Sequence, residues 1–339
     1  MQIHLAIDAM SGDSGPRTNV AGVLFALASD PLLEVTLVGD KPLLQSFLSQ
    51  HQLTHEFAQR LTLLPSQEVI AMDDSPTRVL RSKKNSSMHL AVQLLAGGYS
   101  DACVSAGNTG ALMLIGRHYL GMLPGIERPA ISTAIPTRKG HCHLLDLGAN
   151  VDCQAEHLLQ FALMGSVMAR VVDGLKTPRV GLLNVGKEAI KGNTQVKLAA
   201  HLMQEHEYLN YSGYLEGDRI FQGDVDLVVC DGFVGNVALK TSEGLARFLS
   251  EQLLQIFSKS AYSRLVRFMA RPVLRQLKEQ MDPVRYNGGS LLGLKKTLVK
   301  SHGNADARGF SYAILRAANE ARQGLSQRLQ EELQRLDAS

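Results

Sequence analysis

One pattern occurs five times in this 339-residue chain and constrains its fold more than any other feature. A short apolar run ends in a loop of glycine with Asn, Ser or Asp, and a helical pattern follows most of these loops. The runs end near Ile7, Ser105, Asp146, Asn184 and Cys230. Such runs predict buried strands, and strands that alternate with helices are typical of a doubly wound, mostly parallel α/β sheet. Because ligands bind at the carboxyl ends of strands in such sheets, we expect the five loops to share one cleft.

The last of these loops follows the strand predicted at Val225–Cys230. Asp231–Asn236 is predicted to be a strand-to-helix turn, in which Gly232 and Gly235 allow close backbone approach. The free N–H groups of the following helix suit an anion, and Asp231 can orient a donor or take a proton. An equally weighted interpretation is that Asp231 only caps the helix and the glycines only permit the turn.

The loop after Ser105 places small donors beside glycines. Asn108 and Thr109 lie between Gly107 and Gly110, and a nest of this kind can hold a phosphate or a carboxylate. Ser105 itself is a poor candidate for a nucleophile, because no GxSxG motif surrounds it and no partner base is evident.

Two further loops add charged groups. Lys187 and Lys191 follow the strand that ends at Asn184, where they are either phosphate ligands or solvated loop charges. His302 follows a short strand at Leu298–Lys300, and it either transfers a proton or contacts an oxyanion, or simply hydrogen-bonds a neighbouring loop. The first loop, Asp8–Arg17, lacks the GxGxxG of a dinucleotide site.

Composition narrows the class of protein. Hydrophobic residues make up 45% and charged residues 20%, as in soluble globular proteins, and the formal net charge of +3 is too small to indicate a nucleic-acid partner. Met1–Asp8 leads directly into a strand without the pattern of a signal peptide, so we expect a cytoplasmic protein. No uncharged apolar run reaches the 18 or so residues that a membrane span needs.

The cysteines do not predict a metal site. None of Cys103, Cys142, Cys153 and Cys230 forms a CxxC pair. His141 and His143 flank Cys142, but adjacent strand residues point to opposite faces, so this group would be split. We therefore expect no bound metal.

The segment after Gly244 has a different character. Leu245–Phe257 and Ala261–Met281 predict a pair of helices with a basic face beside an apolar face. The basic residues of this segment are Lys259, Arg264, Arg267, Arg271 and Arg275. The pair either meets an acidic protein or an anionic membrane, or is an ordinary surface helix pair with a solvated face. An amphipathic tail from Leu325 to Leu336 is suited to docking on the body or on a second subunit.

Taken together, these motifs resemble the PlsX family of bacterial phosphate acyltransferases. The matching runs are Ile7–Asp13, Ser105–Met113, Gly125–Ala130, Leu145–Cys153, Leu182–Gly186 with Lys191 and Gly192, Val229–Asn236 with Leu239–Thr241, and Lys300–Gly303. They cover nearly the whole chain in the order of the family. Three positions depart from the family pattern: Ser11 stands in place of a glycine, Lys187 in place of an acid, and Lys295 with Lys296 where a residue and a glycine are usual.

The resemblance implies a Rossmann-like α/β/α sandwich similar to phosphotransacetylases, in one domain over residues 1–339, with an inserted basic amphipathic helical hairpin at 245–283. It implies reversible transfer of a fatty acyl group from acyl carrier protein to inorganic phosphate, giving acyl phosphate for phospholipid synthesis without a cofactor. Such proteins are cytoplasmic homodimers that associate peripherally with an anionic membrane surface. The downstream membrane glycerol-3-phosphate acyltransferase is a further expected partner.

On this interpretation Asn236, Lys191, His302 and Asp231 are the catalytic candidates. The residues expected to bind phosphate or the acyl thioester are Asp8, Gly12, Asp13, Ser105, Gly107, Asn108, Thr109, Asn150, Asn184, Gly186, Gly232 and Gly235. The basic residues of 245–283 would contact the carrier protein or the membrane. Two rival functions remain: an isocitrate-dehydrogenase-like oxidoreductase, for which no nucleotide loop or acid cluster is found, and a non-catalytic scaffold at the membrane surface.

Overall fold

A computed structural model describes residues 1–51, 54–275 and 282–337. The strands are β1 (Ile3–Asp8), β2 (Leu33–Gly39), β3 (Leu61–Pro65), β4 (Ala102–Ser105), β5 (Ala130–Thr137), β6 (Gly140–Leu145), β7 (Arg179–Leu183), β8 (Asn210–Leu215), β9 (Leu227–Val229), β10 (Gly289–Leu292) and β11 (Thr297–Lys300). The helices are α1 (Gly15–Ser29), α2 (Lys41–Ser49), α3 (His55–Gln59), α4 (Pro76–Ser82), α5 (Ser87–Ala96), α6 (Thr109–Leu120), α7 (Ala155–Val172), α8 (Thr194–Glu205), α9 (Gly232–Ser258), α10 (Ala261–Met269), α11 (Ala307–Arg322) and α12 (Leu325–Asp337). Two 3-10 turns lie at Gly217–Gln222 and Pro283–Tyr286.

The strands form an 11-stranded sheet in the order β3-β2-β1-β4-β11-β10-β5-β6-β9-β7-β8. The first half, β3-β2-β1-β4-β11, is parallel throughout, and so is the second half, β6-β9-β7-β8. The predicted mostly parallel α/β fold is therefore confirmed.

The two halves run in opposite directions, because three antiparallel pairings separate them, between β11 and β10, β10 and β5, and β5 and β6. The carboxyl ends of the strands in the two halves therefore lie at opposite sides of the sheet, measured along the strand direction. The expectation that all five loops share one cleft is wrong for this reason: the loops after β1 and β4 lie at one edge, and those after β6, β7 and β9 at the other.

Helices cover both faces of the sheet and complete the α/β/α sandwich. Phe310 of α11 is fully buried among apolar side chains of α1 and β1, and α5 and α6 pack on the opposite face. On the second half, Phe161 of α7 lies in a core that also holds Leu329 and Leu333 of α12. The amphipathic tail thus docks on the body of its own chain.

Helix α9 is continuous from Gly232, although the apolar spacing used for the prediction begins only at Leu245. Its first turn packs closely against the turn after β6, since a Cβ added at Gly235 would lie 1.9 Å from the Asp146 carbonyl oxygen. Helix α10 packs against α9, residues 271–275 are also helical, and the part of the predicted hairpin at 276–281 lies outside the described residues. Among the described helices, none combines the length and the apolar character that crossing a bilayer requires.

Candidate active site

Polar groups gather in two separate clusters. The first loop cluster comprises Asp8–Asp13, Ser105–Thr109 and Lys300–Gly303, at the end of the first half. The second loop cluster comprises Asp146–Asn150, Asn184–Gly192 and Asp231–Asn236, at the end of the second half. The nearest strands of the two clusters, β11 and β6, are three strand spacings of about 4.8 Å apart, or about 14 Å across the sheet, and the clusters lie at opposite ends of these strands.

In the first loop cluster, a buried carboxylate is tied to two hydroxyls. The Ser105 hydroxyl donates to Asp8 Oδ2 at 2.6 Å and accepts from the Gly107 N–H at 3.1 Å. Ser11 Oγ lies 3.3 Å from Ser105 Oγ and accepts from the Ala106 N–H at 3.0 Å. Burial raises the pKa of Asp8, and the hydrogen bond from Ser105 opposes that rise. Ser11, a departure from the family pattern, is therefore part of the hydrogen-bonding network that holds this loop.

The glycine next to Ser11 is required by the packing of two loops. Gly12 has a φ of 90°, and a Cβ there would lie 3.1 Å from both Ala106 Cβ and the Gly303 carbonyl oxygen. The neighbouring Asp13 N–H donates to that same carbonyl at 2.7 Å. The loops after β1 and β11 are thereby joined.

Asn108 serves as a structural support within the first loop cluster. Its Oδ1 caps α6 by accepting from the Ala111 N–H at 3.0 Å, and its Nδ2 donates to the carbonyls of Met72 and Asp74, each at 2.9 Å. Since these contacts occupy the amide, the anion donors that remain at this turn are backbone N–H groups at the start of α6 and the Thr109 hydroxyl.

Lys300 is a partly buried cation that the sequence motifs did not single out. It pairs with Ser105 across parallel strands, and its Nζ donates to the carbonyls of Ala106, at 3.3 Å, and Ser301. Burial lowers the pKa of Lys300 to about 8, against the opposing effect of the Asp13 and Asp8 carboxylates. The available signal was its place as the last residue of a strand in the Lys300–Gly303 motif.

His302 completes the first loop cluster through contacts with the side of α9. Its Nε2 lies 3.2 Å from Glu243 Oε1, and Lys240 Nζ lies 3.3 Å from its Nδ1. Lys240 also pairs with Glu243 at 2.8 Å. Burial raises the pKa of Glu243, but the contacts with His302 and Lys240 outweigh it and lower the pKa to about 2. Neither Lys240 nor Glu243 was predicted, because only the fold brings them to His302.

The second loop cluster is built on Asp146. Its carboxylate accepts from the N–H groups of Ile131 and Asn150, at 2.8 and 2.7 Å, and from Asn150 Nδ2 at 2.9 Å. Asn150 Nδ2 also donates to the Pro129 carbonyl at 2.8 Å, and the Gly232 N–H donates to the Asn150 carbonyl at 2.7 Å. Asn150 therefore fixes the loop that receives the start of α9.

The catalytic candidates of this cluster are more exposed. Lys191 is half exposed and lies 3.5 Å from Glu188, while Asn184 Nδ2 donates to the carbonyls of Gly186 and Lys191. Asn236 is exposed on the first turn of α9, close to Gly148. The structure thus brings Asn236 near the loop of Asp146 but places neither Asn236 nor Lys191 beside His302.

Asp231 is the N-cap of α9, and its Oδ1 accepts from the Val234 N–H at 2.8 Å. Of the two interpretations of this residue, the structure shows the capping contact. A catalytic role for Asp231 stays a prediction.

The remaining departures from the family pattern occupy peripheral positions. Lys296 Nζ donates to the Leu95 carbonyl at 2.9 Å, the Lys295 side chain lies near Gly121, and Lys187 is exposed.

His141, His143 and Asp173 form a cluster whose ligand atoms lie within 4.8 Å of one another, while Cys142 faces the core. His143 Nε2 lies 2.7 Å from Asp173, and its buried Nδ1 has no hydrogen-bond partner. A metal at Nε2 would force the proton onto Nδ1, where no acceptor is available. Burial lowers the pKa of His143, which also favours a neutral ring that donates to Asp173. The cluster suits hydrogen bonding better than metal binding.

The architecture is that of known phosphotransacetylases. The chain matches a phosphotransacetylase from Streptococcus pyogenes with a TM-score of 0.63 and 15% identity, over 95% of this chain and 94% of the other. A branched-chain phosphotransacylase from Enterococcus faecalis matches with a TM-score of 0.58 and 14% identity, over 94% and 99%. At these identities, the matches establish the fold alone.

A family model described as "Fatty acid synthesis protein" matches residues 3–328, and the chain belongs to that family. It is 53% identical over 332 residues to a phosphate acyltransferase of Pseudomonas paraeruginosa, covering 98% of both chains. It is 50% identical over 337 residues to a phosphate acyltransferase of Alkalilimnicola ehrlichii, covering 99% of this chain and 98% of the other. The resemblance to PlsX phosphate acyltransferases is confirmed.

Proposed function

We propose that this protein transfers a fatty acyl group from acyl carrier protein to inorganic phosphate, reversibly and without a cofactor, and so supplies acyl phosphate for phospholipid synthesis. Full-length relatives at about half identity carry the name phosphate acyltransferase. The structural observation that carries the proposal is the first loop cluster, in which hydroxyls, helix N–H groups and the partly buried Lys300 lie beside His302.

Phosphate is itself a nucleophile, so the protein need not provide one. A phosphate oxygen attacks the thioester carbonyl carbon, a tetrahedral oxyanion forms, and the carbon–sulfur bond then breaks. The carrier leaves as a thiolate, which takes up the proton lost by phosphate, and acyl phosphate remains. The tasks of the protein are to position both substrates and to stabilise the oxyanion.

The first loop cluster supplies groups for these tasks. The N–H groups at the start of α6 and the Thr109 hydroxyl hold phosphate, and Lys300 provides positive charge. Asp8 and Ser105 hold the loops in place, as Asp13 and Gly12 do across to Gly303. His302, oriented between Lys240 and Glu243, contacts the oxyanion or carries the proton to the leaving thiolate.

Asn236 and Lys191 retain their proposed roles as oxyanion donor and phosphate cation, supported by Asn150, Asn184, Gly186, Gly232, Gly235 and Asp231. Within one chain, Asn236 lies one helical turn before Lys240, whose ammonium contacts His302, and Lys191 belongs to the loop after β7. They would act on the same phosphate if the protein is a homodimer in which the second loop cluster of one copy meets the first loop cluster of the other.

The carrier protein and an anionic membrane surface are proposed to meet α9 and α10. Apolar side chains such as Leu265 and Phe268 are more than half exposed there, beside Arg264 and Arg267. Arg271, Arg275 and Lys259 extend the basic character of this surface. Peripheral attachment in the cytoplasm would place the product near the membrane glycerol-3-phosphate acyltransferase that consumes it.

The decisive test of the activity uses the purified full chain with palmitoyl carrier protein and phosphate. We expect acyl phosphate, trapped as a hydroxamate, and free carrier thiol in equal amounts. A variant with His302→Ala is the matched control for contaminating activity. Thiol release without acyl phosphate, or no reaction at all, would overturn the proposed function.

The basic surface is tested with Arg264→Glu combined with Arg267→Glu. We expect weaker use of the carrier-protein thioester, seen as a raised KM, and less binding to vesicles that contain anionic lipid. Turnover of a carrier-free acyl thioester should be preserved. Unchanged KM and vesicle binding would remove this surface from the proposal.

A further inference from the structure

A groove opens beside His302 and has no role so far. Its walls include Ile135 and Pro136 of β5, Leu239 and Ala246 of α9, and Phe221 of the 3-10 turn. These are apolar side chains, and the rest of the lining includes His302 with Glu243 and the hydroxyl residues Thr133, Ser242 and Tyr286. An apolar lining with a few polar groups is typical of a small-molecule site.

The register of the sheet gives the groove a direction. Ser290 pairs with both Ser132 and Val299, so the β5 residues after Thr133 extend beyond the end of β11. The groove therefore starts at the first loop cluster and follows β5 away from it, toward Pro136 and Phe221. Helix α9 runs alongside, from Leu239 to Ala246.

We propose that this groove binds the hydrocarbon chain of the acyl thioester, an inference that rests on the proposed function. The thioester carbonyl lies at His302, next to phosphate in the first loop cluster, and the chain extends along β5 toward Phe221. This placement follows from the continuity of an apolar groove with a site rich in anion donors. A more polar occupant, such as the pantetheine arm of the carrier, would leave the Ile135, Pro136 and Leu239 surfaces unmatched.

Binding should depend on chain length, because each methylene that enters the groove strengthens binding about fourfold. Titration of the full chain with butyryl, octanoyl and palmitoyl pantetheine measures this dependence without any reaction. An affinity that does not change with chain length would overturn the proposal.

Ala246→Trp fills the groove, and we expect it to weaken binding of palmitoyl pantetheine at least tenfold more than binding of butyryl pantetheine. Ser250→Trp is the matched control, because Ser250 is exposed one turn further along the same helix. Phe221→Ala provides a second variant on a separate element, and it should also weaken palmitoyl binding. Equal palmitoyl affinity in Ala246→Trp and Ser250→Trp, with native circular dichroism, would exclude the groove.

Acyl phosphate formation by the wild-type chain separates the two proposals. If palmitoyl thioester binds with the expected chain-length dependence but no acyl phosphate forms, the proposed function fails and the groove stands. If acyl phosphate forms, and Ala246→Trp changes kcat/KM equally for long and short chains, the groove fails and the function stands.

Discussion

The two loop clusters use similar residue types in opposite ways. In the first, Asp8, Ser105 and Asn108 are buried and hydrogen-bonded across several loops. In the second, Asp146 is buried in the same manner, yet Asn236 and Lys191 are open to solvent. The side chains of the first cluster are thus already fixed by hydrogen bonds, whereas the candidate catalytic groups of the second cluster are exposed to solvent. We expect substitutions in the first cluster to affect folding and activity together, and exposed residues of the second to affect activity alone.

The sharpest test of this comparison asks whether the clusters cooperate across a dimer. His302→Ala and Asn236→Ala should each lower kcat about 10²-fold, as loss of a proton carrier or an oxyanion donor does. Co-expression of the two variants should restore about a quarter of wild-type activity, since half of the dimers are mixed and each mixed dimer holds one complete site. Activity no higher than that of either variant alone would show that the clusters do not share a phosphate across an interface.

Glu243 tests how much the contact between His302 and α9 stabilises the fold. Its pKa is lowered to about 2, so its stabilising contribution is complete above the ordinary value near 4.5 and is lost as pH falls from 4.5 toward 2. Glu243→Gln should reduce the free energy of unfolding by about 2 kcal/mol at pH 7 and by much less at pH 3. Urea denaturation at the two pH values measures this, with Glu188→Gln as the exposed control. A loss that is the same at both pH values would contradict an ionic origin.

Lys300 makes the first cluster sensitive to alkaline pH. Because its pKa is lowered to about 8, its positive charge is present at pH 7 and largely lost by pH 9. The KM for phosphate should rise about tenfold over that range, as the charged fraction of Lys300 falls. In Lys300→Met the KM should be high at pH 7 and nearly constant to pH 9. A wild-type KM that stays constant would show that the ammonium does not contact phosphate.

The smallest expected effect is the difference in stability between two variants in which an asparagine is replaced by alanine. Asn108→Ala removes one buried and two partly buried hydrogen bonds and should lower the free energy of unfolding by about 2–3 kcal/mol. Asn184→Ala removes two bonds in a more exposed loop and should cost about 1 kcal/mol. Thermal unfolding of the pair measures the difference. Equal losses would mean that burial does not distinguish the clusters.

Local patterns were enough to predict most of the strands, the helical coverage and the polar loops. The opposite direction of the two halves was not predicted, because it depends on the pairing of β10 with β5. These strands are far apart in the sequence, and a local pattern does not indicate which strand pairs with which. For the same reason the local sequence did not reveal that Glu243 and Lys240 contact His302. The burial of Lys300 is likewise a property of the assembled sheet. The role of Asp231 could not be decided from the sequence, because an aspartate in this position can either cap the helix or act in catalysis.

The tight packing at Gly235 also has a mechanical consequence. Helix α9 is held at its base, where a single methyl group would collide with the Asp146 carbonyl, and its 27 residues extend for about 40 Å. It is therefore a cantilever, held from Gly235 to Glu243 and extended beyond Ala246 toward α10. In a cantilever the bending moment is greatest beside the support, which is where Lys240 and Glu243 contact His302. A force applied to α10 would therefore act most strongly on the residues of α9 that contact His302.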